Sequence, residues 1–155
     1  MGLKSLRRAN LFKNSMSSAN LTIVEVVAGL IFEQGRLLVC QRNAQSAFPL
    51  KWEFPGGKVE KDEAHEDALR RELKEELSIA VHQVREVFRH EHLYPKVARV
   101  NLRFFRIMGY SGQVKNLVFQ QVKWVSREDL VELDFLEADL PLVQKLAFLS
   151  KNPAL

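Results

Sequence analysis

The chain of 155 residues is 46% hydrophobic and 27% charged, which is typical of one globular domain with its own core. Its apolar runs are shorter than the roughly 18–20 residues that span a bilayer, and its single cysteine, Cys40, excludes an intrachain disulfide. We therefore expect a cytoplasmic protein without membrane-spanning segments, in which Cys40 is an inert thiol inside the core.

The net charge of +4 is concentrated in the first 20 residues. This segment holds no acidic residue and four of the chain's 23 basic ones, which are Lys4, Arg7, Arg8 and Lys13. The other 19 basic residues balance 19 acidic residues. We predict a basic, disordered tail over residues 1–20 and a single domain over residues 21–155. Because the domain is neutral, a stable complex with nucleic acid is not expected. The protein is expected to be a monomer.

The first half of the chain is rich in β-branched and apolar segments. Residues 22–32 and 36–42 are predicted to form two strands joined by a turn at residues 33–35. A short strand at residues 52–54 is followed by a predicted turn at residues 55–57, where Pro and two Gly residues come together.

The second half contributes long strands and a final helix. Strands are predicted at residues 81–94, 97–110 and 118–125, and Ser126 is placed to cap a short helix. A last amphipathic helix is predicted at residues 140–149. Because strands and helices are mixed without strict βαβ alternation, we predict an α+β fold, an α/β/α sandwich with a mixed β-sheet between helices.

The helix predicted over residues 63–77 carries three glutamates on one face. Glu72, Glu75 and Glu76 stand at positions i, i+3 and i+4, where like charges destabilise a helix by about 0.2–0.5 kcal/mol per pair. This repulsion indicates that a cation lies nearby. Carboxylate oxygens suit hard cations such as Mg²⁺ or Mn²⁺, so the pattern favours metal-assisted chemistry on phosphates. A separate stripe is expected to face the core and comprises Leu69, Leu73 and Leu77.

The same segment has a fixed spacing of residue types. From Gly57 the sequence runs through five residues to Glu63, then through seven residues to Arg-Glu-Leu-Lys-Glu-Glu-Leu-Ser-Ile at residues 71–79. This pattern resembles the Nudix box. The segment WEFPGGKVE that begins at Trp52, the Lys-Trp-Val at residues 123–125 and the Ala-Asp-Leu-Pro at residues 138–141 resemble the MutT-like subgroup. The resemblance extends over most of residues 21–149 and implies the Nudix fold.

The resemblance implies metal-binding and catalytic roles for residues of the box. Glu72, Glu75 and Glu76, together with the carbonyl of Gly56, match the metal ligands. Arg71 matches the arginine that orients a box glutamate. The first glutamate of the box matches Glu63, for which the resemblance implies a structural role.

The resemblance also implies substrate-binding residues, which are Arg42, Glu53, Phe54, Pro55, Gly56 and Asp139. Other interpretations of some of them stay open at this point. Arg42 could be an exposed strand end, and Asp139 could be the N-cap of the last helix. Trp52 is interpreted as a core aromatic, and Phe54 as a core aromatic that could also contact the base.

The implied reaction is attack of water on a nucleoside triphosphate, which gives a nucleoside monophosphate and pyrophosphate with Mg²⁺ or Mn²⁺ as cofactor. The resemblance favours oxidised nucleotides such as 8-oxo-dGTP. The carboxylate of Asp139 would accept a hydrogen bond from the protonated N7 of 8-oxoguanine or from the amino group of cytosine. CTP, dCTP and modified pyrimidine triphosphates are therefore the alternative substrates, and a non-catalytic nucleotide-binding module is a further alternative.

Two positions depart from the family pattern. Ser78 stands where the box has glycine in a left-handed conformation, which costs a non-glycine residue about 1 kcal/mol. Residues 116–121 contain no carboxylate, whereas MutT-like proteins often have a glutamate there. Ser78 therefore puts the geometry of the helix end in question, though not the metal ligands, and the missing carboxylate favours slower turnover than in the best members of the family.

One further pattern, His90-Glu91-His92, could suggest a metal site. Successive residues of a strand point to opposite faces, so Glu91 would lie on the other side from the two histidines. A partly exposed strand is the favoured interpretation.

Overall fold

The computed structural model describes residues 21–151. The predicted tail over residues 1–20 lies outside the described residues. Within residues 21–151, no helix is both long and apolar enough to cross a membrane. This part of the chain forms two helices, α1 (His65–Leu77) and α2 (Leu140–Lys151), and the strands β1 (Ile23–Leu30), β2 (Phe32–Glu33), β3 (Arg36–Gln41), β4 (Trp52–Glu53), β5 (Gly56–Lys58), β6 (Ala80–Tyr94), β7 (Ala98–Ser111) and β8 (Gln121–Val125).

The larger sheet has the strand order β5-β1-β7-β6. β1 is parallel to β7 and antiparallel to β5, and β6 and β7 form a long antiparallel hairpin. The predicted mixed sheet is therefore confirmed. A second sheet also has four strands, but most of them are shorter. It is antiparallel and joins β3 to β2, β4 and β8.

The two helices pack on separate apolar clusters. The predicted stripe of α1 is fully buried, and its leucines pack with Val27 and Phe105 of the larger sheet. Residues of α2, among them Leu142 and Leu146, share the other cluster with Phe54. Each helix thus covers apolar residues of the strands, and the predicted sandwich is confirmed. Cys40 is fully buried, as expected.

Several element boundaries differ from the predictions. The predicted turn at residues 55–57 is wrong in part, because Gly56 and Gly57 pair with β1 as β5. α1 begins at His65 rather than at residue 63, since the preceding Ala64 has extended backbone angles. The last predicted strand begins at Gln121 rather than at residue 118.

The closing segments follow the predicted order with one change of helix type. Ser126 Oγ accepts a hydrogen bond from the N–H of Asp129 at 3.2 Å, as a capping residue does. Ser126 precedes Arg127, which is the N-cap residue of the 3₁₀ helix Glu128–Glu132. A second 3₁₀ helix, Glu137–Asp139, runs directly into α2, which starts at the predicted residue.

Candidate active site

The three glutamates of α1 lie beside the glycines of β5. Glu72 and Glu76 are buried, with 2% and 4% of their surface exposed, and 17% of the Glu75 side chain is exposed. Glu76 Oε2 accepts a hydrogen bond from the N–H of Gly56 at 3.0 Å. A Cβ atom on Gly57 would lie 2.5 Å from Cδ of Glu72, so only glycine allows this approach. The structure therefore brings together the glutamates and the glycines that the spacing singled out.

Arg71 contacts several glutamates at once and so joins the carboxylates of this site. Its guanidinium donates two hydrogen bonds to Glu63, from Nε at 2.7 Å and from Nη2 at 2.9 Å. Nη1 donates to Glu72 Oε1 at 2.5 Å and lies 3.7 Å from Glu75 Oε2. Hydrogen bonds to Glu63 raise the pKa of Arg71, burial opposes that increase, and Glu72 adds to it. Three carboxylates thus share one guanidinium, which fixes the Glu72 side chain. The cluster of Arg71 and these three glutamates carries a net negative charge.

The end of α1 keeps the conformation that the missing glycine put in question. Ser78 has φ 61° and ψ 29°, in the left-handed region, and its N–H donates to the carbonyl of Lys74 at 3.1 Å. The loop between β7 and β8 also caps the helix. The N–H groups of Lys115 and Leu117 donate to the carbonyls of Leu77 at 2.9 Å and Glu76 at 3.1 Å. Since the last carbonyls of a helix lack partners within the helix, these bonds stabilise the strained end.

Arg42 and Glu53 form a buried ion pair next to the carboxylate group. Arg42 Nη1 lies 3.0 Å from Glu53 Oε2, and only 3% of each side chain is exposed. Arg42 Nε donates to the carbonyl of Ala47 at 2.8 Å. Its Nη2 is buried and has no hydrogen-bond partner among the residues that the structure describes. The interpretation of Arg42 as an exposed strand end is therefore wrong, and Nη2 can donate to an acceptor of a bound molecule.

A cleft connects this ion pair with α1. It is lined by Arg42, Asn43, Ser46, Glu53, Glu76, Val118 and Phe119. Two loops face each other across the cleft, the first after β3 and the second before β8. Asn43 Nδ2 in the first loop donates to the carbonyl of Val118 in the second at 2.6 Å. Asn116 Oδ1 accepts from the N–H of Phe119 at 2.8 Å and fixes the turn of the second loop. No carboxylate comes from this loop, and an apolar wall stands there instead.

Sequence reasoning did not identify Ser46, Val118 or Phe119 as residues of the site. The only signal was indirect. Residues 118–120 were predicted to be the start of a strand, and no role was assigned to the residues that follow Arg42. Their position depends on contacts between loops that lie far apart in the chain.

Asp139 lies beside the backbone of Phe54, which leads to the glycines of β5. It is fully buried, and its Oδ2 accepts a hydrogen bond from the N–H of Phe54 at 3.3 Å, across 85 residues of sequence. A role as helix cap alone does not account for this tertiary contact. The Phe54 ring packs on Phe104 and Phe135 at centroid distances of 6.1 and 5.3 Å. Its core role is confirmed, as is that of Trp52, which is 5% exposed.

Pro55 links Phe54 to Gly56. It is buried, and its carbonyl accepts a hydrogen bond from the N–H of Gly29 at 2.8 Å. Gly56 follows with φ 153°, and a Cβ there would lie 2.0 Å from the carbonyl oxygen of Val27. The backbone from Phe54 to Gly56 is therefore held rigidly against β1, between Asp139 and Glu76.

The histidines of β6 do not join Glu91 in a common site. The rings of His90 and His92 lie 5.9 Å apart, whereas Glu91 Oε1 lies 3.5 Å from Nε of Arg99. Burial lowers the pKa of His90, and the neighbouring His92 adds to this effect. The alternation predicted for a partly exposed strand is confirmed.

The donor groups around α1 fit a hydrated hard cation. Among residues 21–151, no three His, Cys, Asp or Glu side chains converge as a ready-made metal cage. The carboxylates of Glu72 and Glu76 are instead held by Arg71 and by the N–H of Gly56. Mg²⁺ usually keeps several waters and binds one or two carboxylates plus phosphate oxygens. Two buried glutamates, one of which lines the cleft beside Arg42, suit that type of binding.

The chain is similar to known proteins over most of its length. The family model described as NUDIX domain matches residues 22–146. A CTP pyrophosphohydrolase of Escherichia coli (strain K12) is 35% identical over 133 residues, which cover 85% of this chain and 98% of that protein. An 8-oxo-dGTP diphosphatase of Haemophilus influenzae is 31% identical over 125 residues, which cover 80% of this chain and 91% of the relative.

Solved structures give the same result for the fold. The solution structure of the E. coli ORF135 protein superposes with a TM-score of 0.74 at 34% identity, covering 86% of this chain and 96% of that one. A MutT structure from a study of Aliivibrio salmonicida and Vibrio cholerae has a TM-score of 0.71 at 31% identity, with coverage of 81% and 98%. The chain therefore belongs to the Nudix family of hydrolases.

Proposed function

We propose that the protein is a Mg²⁺-dependent nucleoside triphosphate pyrophosphohydrolase, with Mn²⁺ able to replace Mg²⁺. Its products would be a nucleoside monophosphate and pyrophosphate. The observation that carries this proposal is the buried carboxylate face of α1, packed on Gly56 and Gly57 beside a cleft that contains Arg42. The two relatives described above act, by their names, as a pyrophosphohydrolase and a diphosphatase.

The residues of α1 and β5 would hold the metal. Glu72, Glu75, Glu76 and the carbonyl of Gly56 are the proposed ligands. A divalent cation bound there would neutralise phosphate charge and lower the pKa of a bound water. The hydrogen bond from the N–H of Gly56 keeps Glu76 in place, and Arg71 keeps Glu72 in place. Both acids therefore need little rearrangement when substrate arrives.

Arg42 would bind the substrate through Nη2. This nitrogen is buried, and the two other nitrogens of the guanidinium are occupied by Glu53 and Ala47. An acceptor oxygen of the nucleotide would complete the set, because a buried donor without a partner is unfavourable. Since Glu53 holds the guanidinium, its role here is to position Arg42.

Asp139 and the backbone of Phe54 to Gly56 would read the base. A carboxylate accepts hydrogen bonds, so it fits a base that presents a ring N–H or an amino group. We propose 8-oxo-dGTP as the substrate, which would make the protein a sanitiser of oxidised nucleotides that protects DNA. CTP is the second candidate, because a cytosine amino group meets the same requirement and a relative at 35% identity is a CTP pyrophosphohydrolase.

The test is pyrophosphate release from a panel of triphosphates by the purified protein with Mg²⁺, with Glu76→Gln as the inactive control. We expect turnover of 8-oxo-dGTP well above that of dGTP and CTP. Turnover of CTP well above 8-oxo-dGTP would replace the proposed substrate with the second one. Release no greater than that of Glu76→Gln for every nucleotide would support the non-catalytic nucleotide-binding alternative.

Three expectations about the whole chain stay predictions, namely a cytoplasmic location, a monomeric state and a tail that catalysis does not need. Turnover of a protein that lacks residues 1–20 should equal that of the full chain. Nucleic-acid binding needs a separate assay over a range of salt concentrations, because phosphate contacts weaken steeply with salt.

A further inference from the structure

Tyr94, the last residue of β6, contacts two segments of the chain, namely the turn that carries Asp139 and the loop that follows Arg42. It is 5% exposed. Its hydroxyl oxygen accepts a hydrogen bond from the N–H of Ala138 at 3.3 Å. Ala138 precedes Asp139, the residue that accepts from the N–H of Phe54. The phenol therefore holds the segment that carries the proposed base-reading carboxylate.

The bond to Ala138 is not replaceable within its own helix. Residues Glu137–Asp139 form a single 3₁₀ turn, and the first N–H groups of a helix have no intrahelical acceptor. Within this turn, the N–H of Asp139 donates to the carbonyl of Leu136 at 3.0 Å. Ala138 instead obtains its acceptor from β6, 44 residues earlier in the chain. The Tyr94 hydroxyl thus adds a link between the turn and β6 to the bond from the N–H of Leu136 to the carbonyl of Trp52 at 2.9 Å.

The ring of Tyr94 reaches the other side of the site. It packs on Phe48 with ring centroids 5.2 Å apart. Phe48 follows Ala47, whose carbonyl accepts from Nε of Arg42 at 2.8 Å. One side chain therefore touches the loop that orients Arg42 and the turn that carries Asp139.

We propose that Tyr94 is a positioning residue for nucleobase selection. Its hydroxyl fixes Ala138, and this fixes the distance between the Asp139 carboxylate and the backbone of Phe54. The inference rests on the proposed function and adds a determinant of specificity to it. The hydroxyl of Tyr94 bonds to Ala138 and its ring packs on Phe48, so it acts on the choice of base and not on the cleavage of the phosphate bond.

The test is Tyr94→Phe, with Tyr110→Phe as the matched control. Tyr110 is the chain's other tyrosine, and its hydroxyl donates to Glu33 at 3.1 Å, on the exposed surface. We expect Tyr94→Phe to lower the ratio of kcat/KM between the preferred triphosphate and its competitor by about fivefold, the effect of one lost hydrogen bond. The change should appear in KM, with kcat within about twofold. Tyr110→Phe should leave the ratio unchanged.

Coupling to Asp139 separates positioning from general loss of stability. The effects of Tyr94→Phe and Asp139→Asn on the ratio should be clearly less than additive, since both act on one contact. Additive effects, an unchanged ratio in Tyr94→Phe, or an equal loss of kcat for all nucleotides would overturn the proposal. Should Tyr94→Phe fail to fold, Phe48→Leu must lower the ratio in the same direction.

Binding of nucleoside monophosphates keeps the inference testable apart from catalysis. If the wild type releases no pyrophosphate, the proposed function fails, and the same variants are titrated calorimetrically with 8-oxo-dGMP, dGMP and CMP. Tyr94→Phe should reduce the difference in affinity between these bases, and Tyr110→Phe should not. Equal differences in wild type and Tyr94→Phe would overturn the role of Tyr94 whatever the turnover.

Discussion

The two ends of the site are built in different ways. The carboxylate end comes from one short stretch, in which Gly56, Gly57 and the glutamates of α1 lie within about twenty residues of each other. The proposed base-binding end, or base end, is assembled from distant segments, with contacts that span 44 residues between Tyr94 and Ala138 and 85 residues between Phe54 and Asp139. Local helical geometry therefore sets the proposed chemistry, whereas tertiary packing sets the proposed selection. Substitutions at the first end should lower turnover of every nucleotide, and those at the second should alter preference.

Among substitutions outside the proposed metal-binding glutamates, the largest expected effect comes from Gly57→Ala at the carboxylate end. The new Cβ would lie 2.5 Å from Cδ of Glu72, so the carboxylate must move, and a misplacement of about 1 Å can cost about 100-fold in rate. We expect kcat to fall by about that factor for all triphosphates. The control is Gly109→Ala in β7, where an added Cβ meets no described atom within 4 Å. Full activity of Gly57→Ala would show that Glu72 need not be held in this position.

Arg71→Lys should have the next largest effect. Lysine cannot form the two hydrogen bonds to Glu63 while also holding Glu72, and loss of a group that orients a metal ligand typically costs about 10–100-fold. Steady-state kinetics should show the loss in kcat. The Mg²⁺ concentration that gives half-maximal turnover should also rise, because the metal binds more weakly. Arg70→Lys is the matched control, because Arg70 pairs on the surface with Glu66 and Asp67. Equal effects of the two substitutions would contradict the assigned role.

Arg42→Lys tests the proposed substrate contact between the two ends. Lysine can keep the charge beside Glu53 but lacks the second guanidinium nitrogen that is buried in the cleft. We expect KM to rise about tenfold, as for one lost charge-assisted hydrogen bond, with kcat nearly unchanged. Arg36→Lys, at the exposed start of β3, should leave both constants unchanged. A fall in kcat without a change in KM would place Arg42 in the chemical step.

Ser78→Gly should have the smallest effect, and only on stability. Ser78 has φ 61°, and glycine relieves about 1 kcal/mol of strain in the left-handed region. Thermal unfolding should occur a few degrees higher, with kcat unchanged, because the loop bonds to Leu77 and Glu76 already fix the helix end. Gln34→Gly, at φ 49° in a turn outside the site, should give a similar gain in stability. Increased turnover in Ser78→Gly alone would show that serine distorts the glutamates.

The same difference between the two ends explains what the sequence could predict. The period of an α-helix places Glu72, Glu75 and Glu76 on one face and the leucines on another, and both faces were predicted from spacing alone. The pairing of Gly56 and Gly57 with β1 was not, because glycines between Pro55 and Lys58 are also typical of a turn. The loop before β8 was interpreted only through the missing carboxylate at residues 116–121. Its docking on Leu77 and Glu76 uses backbone groups, which leave no trace in residue types.

The base end shows the limit more clearly. The sequence singled out Asp139 by resemblance but left its role as a helix cap open, since an acid before a helix fits both. Tyr94 looked like an ordinary strand residue. Its contact with Ala138 requires the hairpin of β6 and β7 to meet the start of α2, which only the folded arrangement specifies.

The most direct test of this division compares two variants on two nucleotides. kcat and KM are measured for wild type, Glu76→Gln and Asp139→Asn with 8-oxo-dGTP and CTP at saturating Mg²⁺. We predict that Glu76→Gln lowers kcat for both substrates by the same factor, at least about 100-fold. The ratio of kcat/KM between 8-oxo-dGTP and CTP should stay unchanged. Asp139→Asn should shift the ratio while retaining kcat for at least one of them. A changed ratio in Glu76→Gln, or an equal loss for both substrates in Asp139→Asn, would contradict the separation of chemistry from base selection.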